Sequence, residues 1–535
     1  MYVEQTTLDY LDRAENLYDD LVGVIADDGT EYTYGEFAER VHRLSNALSD
    51  LGVEEGDRVA MLSPNTHYFL EAIYATNQLG VVNVPMNYRL TPEDYEYILN
   101  DSDAKAVIAD YDLAERVEEV RDDVPTEHFI GYKADEEGIE GDWLDYQSLL
   151  DDASPEKPER PEIAEGDDAT VNYTSGTTGD PKGVVRTHRT EHWHALVLNH
   201  HMEIQEDDTY LWTLPMFHCN GWGHVYAITG AGGTHVCQRK FTPEGTLDRI
   251  RTYDVSYMCG APTVLNRLID YYETEDVEAT TGDRDLRLTT AGSAPPQATI
   301  RTVEESFGWR IIQIYGLTET APLITTSNSP RRLAAGDEAT IKTMQGHAVL
   351  NTEIRVVDED GEDVPRDGAT IGEIVVRGNQ VMDRYLNKPD ITHKAFNDRA
   401  EGYFHTGDLA TMDENGMISI QDRKKDIIIS GGENISSIDV EDTLYDHPDV
   451  SKAAVIPVPS DEWGETPKAL VVPKPGSELT EEDVREYARD NMAHYKVPSS
   501  VDFVEDLPET ATGKVQKYQL RQKYWDDEDR MVGQG

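Results

Sequence analysis

A ten-residue run at positions 174–183 has the composition of a loop that binds a polyphosphate. The run reads Thr174, Ser175, Gly176, Thr177, Thr178, Gly179, Asp180, Pro181, Lys182 and Gly183. Glycines let backbone N–H groups approach phosphate oxygens, hydroxyls donate hydrogen bonds, and the lysine supplies a mobile positive charge. The spacing is not that of a Walker A loop, Gly-x-x-x-x-Gly-Lys-Ser/Thr, so P-loop NTPase chemistry is disfavoured. Taken alone, such a run is equally typical of a flexible connector.

The elements that must position this run indicate an α/β protein. Residues 169–173 alternate in character and predict a strand directly before it. Up to about residue 420, short apolar strands alternate with amphipathic helices. Examples are strands at 58–62, 106–109 and 310–314 and helices at 67–79 and 113–121. Residues 135–167 are rich in Glu, Asp, Pro and Gly, and we expect a surface excursion there.

The pattern changes after Arg423. A strand at 426–430, a Gly-Gly turn, a helix at 437–445, a strand at 452–458 and a helix capped by Thr480 predict a small α+β unit. The sequence therefore predicts an α/β fold with a large multi-layer N-terminal domain of mixed sheets and flanking helices, residues 1–424. A small, mobile α+β lid, residues 425–535, follows it.

The charge of the chain is its most unusual bulk property. Its 535 residues contain 104 Asp and Glu against 47 Lys and Arg, a formal net charge of -57. Self-repulsion on this scale opposes compaction, but at about 1 M salt the screening length falls to roughly 3 Å. We interpret the charge as adaptation to a salt-rich cytoplasm. Without a basic stripe to offset it, nucleic acid and anionic membranes are disfavoured as partners.

Cysteines and hydropathy indicate an intracellular protein. Cys219, Cys237 and Cys259 are unevenly spaced and form no Cys-x-x-Cys pair, so neither a disulfide framework nor a zinc knuckle is predicted. The first twenty residues are acidic, and no run of about 18 apolar residues occurs. We expect a soluble, cytoplasmic protein with no membrane insertion.

Together with six later segments, the run at 174–183 resembles the phosphate loop of the adenylate-forming enzymes. This superfamily contains the acyl-CoA synthetases, the adenylation domains of non-ribosomal peptide synthesis and beetle luciferase. The segments are residues 215–222, 291–295, 315–320, 405–408 with 422–423, 430–434 and 508–514. They arrive in the order of the family, and the resemblance covers essentially the whole chain.

The resemblance implies an ATP site in the large domain. Residues expected to border the adenine and the acyl pocket are Gly292, Ser293, Ala294 and Gly316. Tyr315 is implied to stack on the adenine, Thr318 to meet the α-phosphate and Glu319 to bind Mg²⁺. An aromatic face, a hydroxyl donor and a hard oxygen ligand suit these three partners.

The resemblance also implies the roles of later residues. Asp408 and Arg423 resemble the ribose-binding pair, since a carboxylate accepts both ribose hydroxyls and a guanidinium adds donors. Lys425 is the implied hinge. Gly431 and Gly432 resemble the turn that lines the tunnel for coenzyme A, and Lys514 resembles the lysine of the adenylation step.

The acyl pocket is implied to lie near His218. The segment around His218 and Trp222 is most similar to that of acyl-CoA synthetases for short, medium and related organic acids. An isolated buried histidine is more often a core residue that binds backbone groups. The function implied is an AMP-forming acid–thiol ligase that joins a short- or medium-chain carboxylic acid to coenzyme A, with ATP and Mg²⁺.

Three alternatives remain open from the sequence: an aryl-acid CoA ligase, a stand-alone adenylation enzyme that loads a carrier protein, and a non-catalytic nucleotide-binding relative. The oligomeric state is not encoded in any pattern that we recognise.

Overall fold

The computed structural model describes residues 3–132, 142–174, 181–275, 284–292, 295, 297–328, 342–430, 433–460, 463–509 and 515–525. The helices, in chain order, are α1 (Leu8–Leu17), α2 (Tyr34–Asp50), α3 (His67–Gln78), α4 (Pro92–Ser102), α5 (Tyr111–Glu118), α6 (Tyr146–Asp152), α7 (His188–His201), α8 (His224–Ala231), α9 (Pro243–Thr252), α10 (Pro262–Glu275), α11 (Gln297–Thr302), α12 (Pro389–Asn397), α13 (Ser437–Tyr445), α14 (Glu481–Asn491) and α15 (Lys517–Gln522). None of these described helices combines the length and apolar character needed to cross a bilayer.

The strands are numbered in the same way. They are β1 (Val22–Ile25), β2 (Glu31–Thr33), β3 (Arg58–Leu62), β4 (Val82–Met86), β5 (Ala104–Asp110), β6 (His128–Tyr132), β7 (Leu144–Asp145), β8 (Asp168–Thr174), β9 (Lys182–Thr187), β10 (Thr209–Leu211), β11 (Thr234–Val236), β12 (Tyr257–Cys259), β13 (Arg287–Thr290), β14 (Arg310–Gly316), β15 (Leu323–Thr326), β16 (His347–Ala348), β17 (Thr352–Val357), β18 (Gly372–Gly378), β19 (Arg384–Tyr385), β20 (Phe404–Met412), β21 (Ile418–Arg423), β22 (Ile428–Ser430), β23 (Glu433–Ile435), β24 (Val450–Ser460), β25 (Gly464–Pro473) and β26 (Ser500–Phe503).

Two large mixed sheets dominate the N-terminal part. Within the described residues, one has the order β16-β15-β14-β13-β12-β10-β11-β1-β2 and the other β19-β9-β8-β4-β3-β5-β6-β7. Their central strands are parallel, and antiparallel strands such as β2, β15 and β9 lie towards the edges. In sheets of this kind, ligands bind beyond the carboxyl ends of the parallel strands. The ends of β8, β13 and β14 lead directly into three of the predicted nucleotide-binding segments.

Both large sheets are covered on two faces. In β3, Val59 and Met61 belong to one hydrophobic core, while Ala60 and Leu62 belong to a second core on the opposite face. Side chains alternate across a strand, so continuous burial places this strand inside a layered structure. A four-stranded antiparallel sheet, β17-β18-β20-β21, packs through its own apolar core against Tyr315.

The C-terminal part forms a separate α+β unit. Its described strands have the order β23-β22-β25-β24, with β26 parallel to β25, and α13 and α14 pack on them through one apolar core. The predicted fold class, a large mixed-sheet N-terminal domain and a small α+β C-terminal domain, is confirmed.

Most of the predicted elements are present with small shifts of their ends. The strand at 58–62 and the helix at 437–445 match β3 and α13 residue for residue. Thr480 caps α14, and its hydroxyl accepts from Asp483 N at 3.3 Å while Asp483 accepts in return. The strand expected from residue 426 begins only at Ile428, because the backbone N–H groups of Asp426 and Ile427 both donate to the Arg423 carbonyl in a turn.

The surface excursion predicted at 135–167 is wrong for its central part. Residues 133–141 lie outside the described residues, but β7 and α6 follow them. Tyr146 and Leu150 are each 1% exposed, and Tyr146 donates a hydrogen bond to Glu71 at 2.5 Å. Two buried residues four apart are enough to dock a short helix whose other face is acidic.

A fully buried ion pair joins β9 to α7 behind the predicted phosphate run. Arg186 Nε lies 2.9 Å from Glu191 Oε1, and neither side chain is exposed. Arg186 also donates to Asn172 on β8 at 2.5 Å. Burial raises the pKa of Glu191, and the charge of Arg186 opposes that shift. The pair fixes the first turn of α7 against the two strands that flank the run.

We expect the Arg186→Leu variant to lose about 3–5 kcal/mol of unfolding free energy, because it leaves Glu191 buried without its cation. The loss should be smaller at pH 5 than at pH 8, since burial raises the pKa of the Glu191 carboxyl and a larger share of it is protonated at the lower pH. Denaturant unfolding at both pH values measures this.

Adding Glu191→Leu to Arg186→Leu should recover most of the loss. The control is Arg189→Leu, which removes a partly exposed pair with Glu165 at 3.5 Å and should cost at most about 1 kcal/mol. Equal losses for the two arginine variants would contradict the importance of the buried pair.

Candidate active site

A β-hairpin brackets the predicted phosphate run. Thr174 at the end of β8 is the register partner of Lys182 at the start of β9, and the Tyr97 hydroxyl donates to the Pro181 carbonyl at 3.1 Å. Lys182 Nζ lies 5.2 Å from the centre of the Tyr385 ring. The residues between, Ser175, Gly176, Thr177, Thr178 and Gly179, lie outside the described residues together with Asp180.

Glu319 is held by Tyr385. A short turn, Thr318–Thr320, follows β14, and the Tyr385 hydroxyl donates to Glu319 Oε1 at 2.8 Å. Met382 N donates to the Glu319 carbonyl at 2.7 Å. Burial, reinforced by the Glu319 charge, raises the pKa of Tyr385, so its hydroxyl remains a donor at neutral pH. Tyr385 thus links the predicted metal ligand to Lys182, a role that the sequence analysis missed.

The predicted nucleoside residues also meet. The Tyr315 hydroxyl donates to Asp408 Oδ2 at 2.7 Å, and Arg423 Nε lies 3.5 Å from Asp408 Oδ1. Asp408 and Arg423 are register partners on β20 and β21, so their contact follows from strand pairing. Asp408 and Tyr315 are 6% and 9% exposed. The arrangement brings an aromatic ring, a carboxylate and a guanidinium together at the end of β14.

Close packing explains why Gly316 is glycine. A Cβ at this position would lie 1.5 Å from the Pro322 carbonyl oxygen, so a side chain is excluded. Gly292, at the end of β13, has a φ of 96°, a backbone conformation that side chains disfavour. Ser293 and Ala294 lie outside the described residues.

Residues 219–222 form a left-handed turn, which the sequence did not predict. Cys219, Asn220, Gly221 and Trp222 have φ angles of 52°, 52°, 58° and 53°. Three of these residues carry side chains, for which the left-handed backbone conformation is sterically unfavourable. Gly221 N donates to the Met216 carbonyl at 2.7 Å, and the Trp212 ring fills the space that a Cβ at Gly221 would need. Tertiary contacts therefore impose the turn.

The left-handed turn touches the turn that carries Glu319. The Cys219 thiol donates to Thr318 Oγ1 at 3.3 Å. The segment predicted to close the acyl pocket therefore contacts the residue predicted to bind the α-phosphate. His218 is half-buried at the start of this turn. Burial, with the charge of Arg186 nearby, lowers the pKa of His218 to about 4. The imidazole is therefore neutral at pH 7.

The C-terminal predictions are described only in part. Lys514, Gly431 and Gly432 lie outside the described residues. Lys425 follows the end of β21 and is half-buried, and burial together with the charge of Arg423 lowers its pKa to about 8.

Comparison with known proteins identifies the family. Residues 11–386 match the family model for the AMP-binding enzymes, and residues 439–514 match that for the AMP-binding enzyme C-terminal domain. A 2-methylpropanoate–CoA ligase of Humulus lupulus is 38% identical, over 96% of this chain and 94% of that protein. A peroxisomal trans-cinnamate:CoA ligase of Petunia hybrida is 35% identical, over 97% and 94%.

Solved structures show the same fold. ATP-bound MatB from Rhodopseudomonas palustris is 28% identical and superposes with a TM-score of 0.86, over 98% of this chain and 99% of that chain. Apo MatB from the same organism is 29% identical and gives 0.75, over 97% and 99%. The resemblance read from the sequence is confirmed: this chain belongs to the AMP-binding enzyme family and is an adenylate-forming acid–thiol ligase that makes acyl- or aryl-CoA thioesters.

Proposed function

We propose that this ligase converts a short- or medium-chain carboxylic acid to its CoA thioester through an acyl-AMP intermediate, releasing AMP and pyrophosphate. The observation that carries the chain-length preference is the left-handed turn. Its Trp222 is 3% exposed, and its Cys219 touches Thr318. A bulky indole fixed in the segment expected to close the acyl pocket leaves little room for a long chain. The Humulus relative, named for a small aliphatic acid, supports the same preference.

An aryl acid is the second candidate. The Petunia relative is named for trans-cinnamate, and buried aromatic side chains suit a flat ring as well as a short alkyl chain. Loading of a carrier protein is a third possibility, for which the acceptor would be a separate protein.

The working environment is also part of the proposal. The net charge of -57 supports a salt-rich cytoplasm, where surface carboxylates are screened. Assays therefore belong in concentrated KCl.

A panel of carboxylates tests the substrate class. We expect the highest kcat/KM for short or medium aliphatic acids, measured as pyrophosphate release and as CoA thioester in concentrated KCl. Trp222→Leu should shift the preference towards longer acids, because it removes part of the proposed wall. Preference for cinnamate or benzoate would favour the aryl alternative, and adenylate without CoA thioester would favour carrier loading.

The first half-reaction assigns roles to the residues around ATP. An oxygen of the substrate carboxylate attacks the α-phosphorus, and the bond to pyrophosphate breaks. We assign binding of the β- and γ-phosphates to residues 174–183 and binding of the ribose to Asp408 and Arg423. The adenine is assigned to the ring of Tyr315. Catalysis in this arrangement is positioning and charge stabilisation. A Mg²⁺ bound with ATP would offset phosphate charge, and Glu319, a hard oxygen donor held by Tyr385, fits as its ligand.

The second half-reaction needs the lid. We propose a boundary between residues 424 and 425, with Lys425 as the hinge. Lys514 would act in adenylation, and rotation of the lid would replace it with the turn at Gly431 and Gly432, which guides the thiol of coenzyme A. The thiol sulfur then attacks the acyl carbonyl carbon, and AMP leaves. Lid motions of this kind often limit turnover.

Lys514→Ala should abolish acyl-AMP formation and leave thioester formation from presynthesised acyl-AMP largely intact, because the lysine is assigned to the first step only. Pyrophosphate release and thioester yield are measured separately. Lys425→Pro is the reciprocal variant and should spare adenylation while impairing the transfer to coenzyme A. Equal loss of both steps in Lys514→Ala would refute the assignment.

Tyr385→Phe should lower kcat/KM for adenylation by about tenfold, because it removes one hydrogen bond to the charged Glu319 and nothing else. The effect should be absent from transfer of presynthesised acyl-AMP. The matched control is Tyr403→Phe, which removes a hydroxyl bonded to Glu353 on β17, away from the site. If both variants behave alike, Tyr385 has no specific part in the reaction.

A further inference from the structure

The start of α13 is bonded to the end of β21, on the other side of the proposed hinge. Ser437 N and Ser437 Oγ both donate to Asp422 Oδ2 at 2.6 Å. The Ser436 hydroxyl donates to the Gln421 carbonyl. Asp422 is 1% exposed and Ser437 is fully buried. Gln421 and Asp422 precede Lys425 in the chain, and both serines follow it, so these hydrogen bonds join the large domain to the lid.

The same serine contacts the C-terminal helix. Lys517 Nζ donates to Ser437 Oγ at 2.6 Å and pairs with Glu441 Oε1 at 2.7 Å. The Ser437 hydroxyl therefore donates to a carboxylate of the large domain and accepts from a lysine of the lid. Lys517 opens α15, three residues after Lys514. The start of α15 is thus connected through Ser437 to Asp422.

A neighbouring ion pair does not cross the proposed hinge. Arg521 pairs with Asp426 and donates to the Lys425 carbonyl at 3.3 Å. Asp426 is 8% exposed. Both side chains follow Lys424, so this pair lies within the lid and moves with it.

We propose that Asp422 and Ser437 form a latch across the hinge that holds the lid in its adenylation orientation. This inference rests on the proposed function, in which the lid turns about Lys425. Such a turn changes the direction between β21 and α13, so the two hydrogen bonds to Asp422 have to break before the second orientation forms. The better superposition on ATP-bound than on apo MatB, 0.86 against 0.75 over nearly the same share of the chain, agrees with this orientation.

The latch makes Asp422 and Ser437 positioning residues, and the two half-reactions separate this role from a general loss of structure. In Asp422→Ala, adenylation should fall by about tenfold or more while transfer from presynthesised acyl-AMP to coenzyme A is retained or faster. Ser437→Ala, a milder change, should shift the ratio of the two rates in the same direction. Asp422→Asn keeps an acceptor oxygen and should recover part of adenylation.

The matched control is Asp426→Ala, which removes a buried carboxylate within the lid and should change both half-reactions together. Spin labels on Asp207→Cys in the large domain and Glu482→Cys in the lid report the orientation, since both side chains are exposed and the three native cysteines are buried. With ATP, the wild-type distance distribution should be narrow, and Asp422→Ala should broaden or shift it.

An unchanged ratio and an unchanged distance distribution in Asp422→Ala and Ser437→Ala would overturn the latch. That result leaves the proposed function standing if the wild type still performs both half-reactions and Lys425→Pro still blocks the second. If Lys425→Pro has no selective effect, the hinge itself is misplaced and the latch falls with it.

Discussion

Every substrate of an acyl-CoA ligase is an anion, and this chain carries a formal net charge of -57. The site therefore has to bring positively charged side chains together, although the protein as a whole is strongly negative. Arg423, Lys424 and Lys425 stand consecutively at the end of β21, and Arg423 is held 3.5 Å from Asp408. Burial, and after it the positive charge of Arg423, lowers the pKa of Lys425. An anion bound nearby would relieve this repulsion.

Tyrosine hydroxyls connect the sheets around the site. Tyr385 on β19 of one large sheet donates to Glu319, which follows β14 of the other, and Tyr315 on β14 donates to Asp408 in the four-stranded sheet. A neutral phenol orients a carboxylate without cancelling its charge, whereas a lysine in the same place would neutralise it. The charge of Glu319 thus remains available to the metal ion that we propose, whereas Asp408 also faces Arg423 at 3.5 Å. These two hydrogen bonds connect three sheets around the site.

The sequence predicts what local patterns encode. The cap of α14 at Thr480, the apolar run of β3 and the order of the motifs lead to the correct fold class and family. Local patterns do not encode Tyr385, which stands in a two-residue strand and owes its role to Glu319, far away in the chain. The left-handed turn at Cys219 is imposed by Trp212 and Met216 against local preference. The acidic exposed face of α6 masks its helical pattern in the sequence. The bond between Asp422 and Ser437 depends on contact between two domains, which no local pattern encodes.

The contrast between the two domains would explain how one protein combines a rigid site with the moving lid that we propose. In the large domain, a strained turn beside the buried pair of Arg186 and Glu191 is stable only because many contacts determine it together. Ser436 and Ser437 bond across the proposed hinge to Gln421 and Asp422, through hydrogen bonds that each contribute about 0.5–3 kcal/mol. An equilibrium moved by a few kcal/mol changes its populations by one to a few orders of magnitude. The proposed latch would therefore be firm enough to favour one orientation and weak enough to open in every cycle.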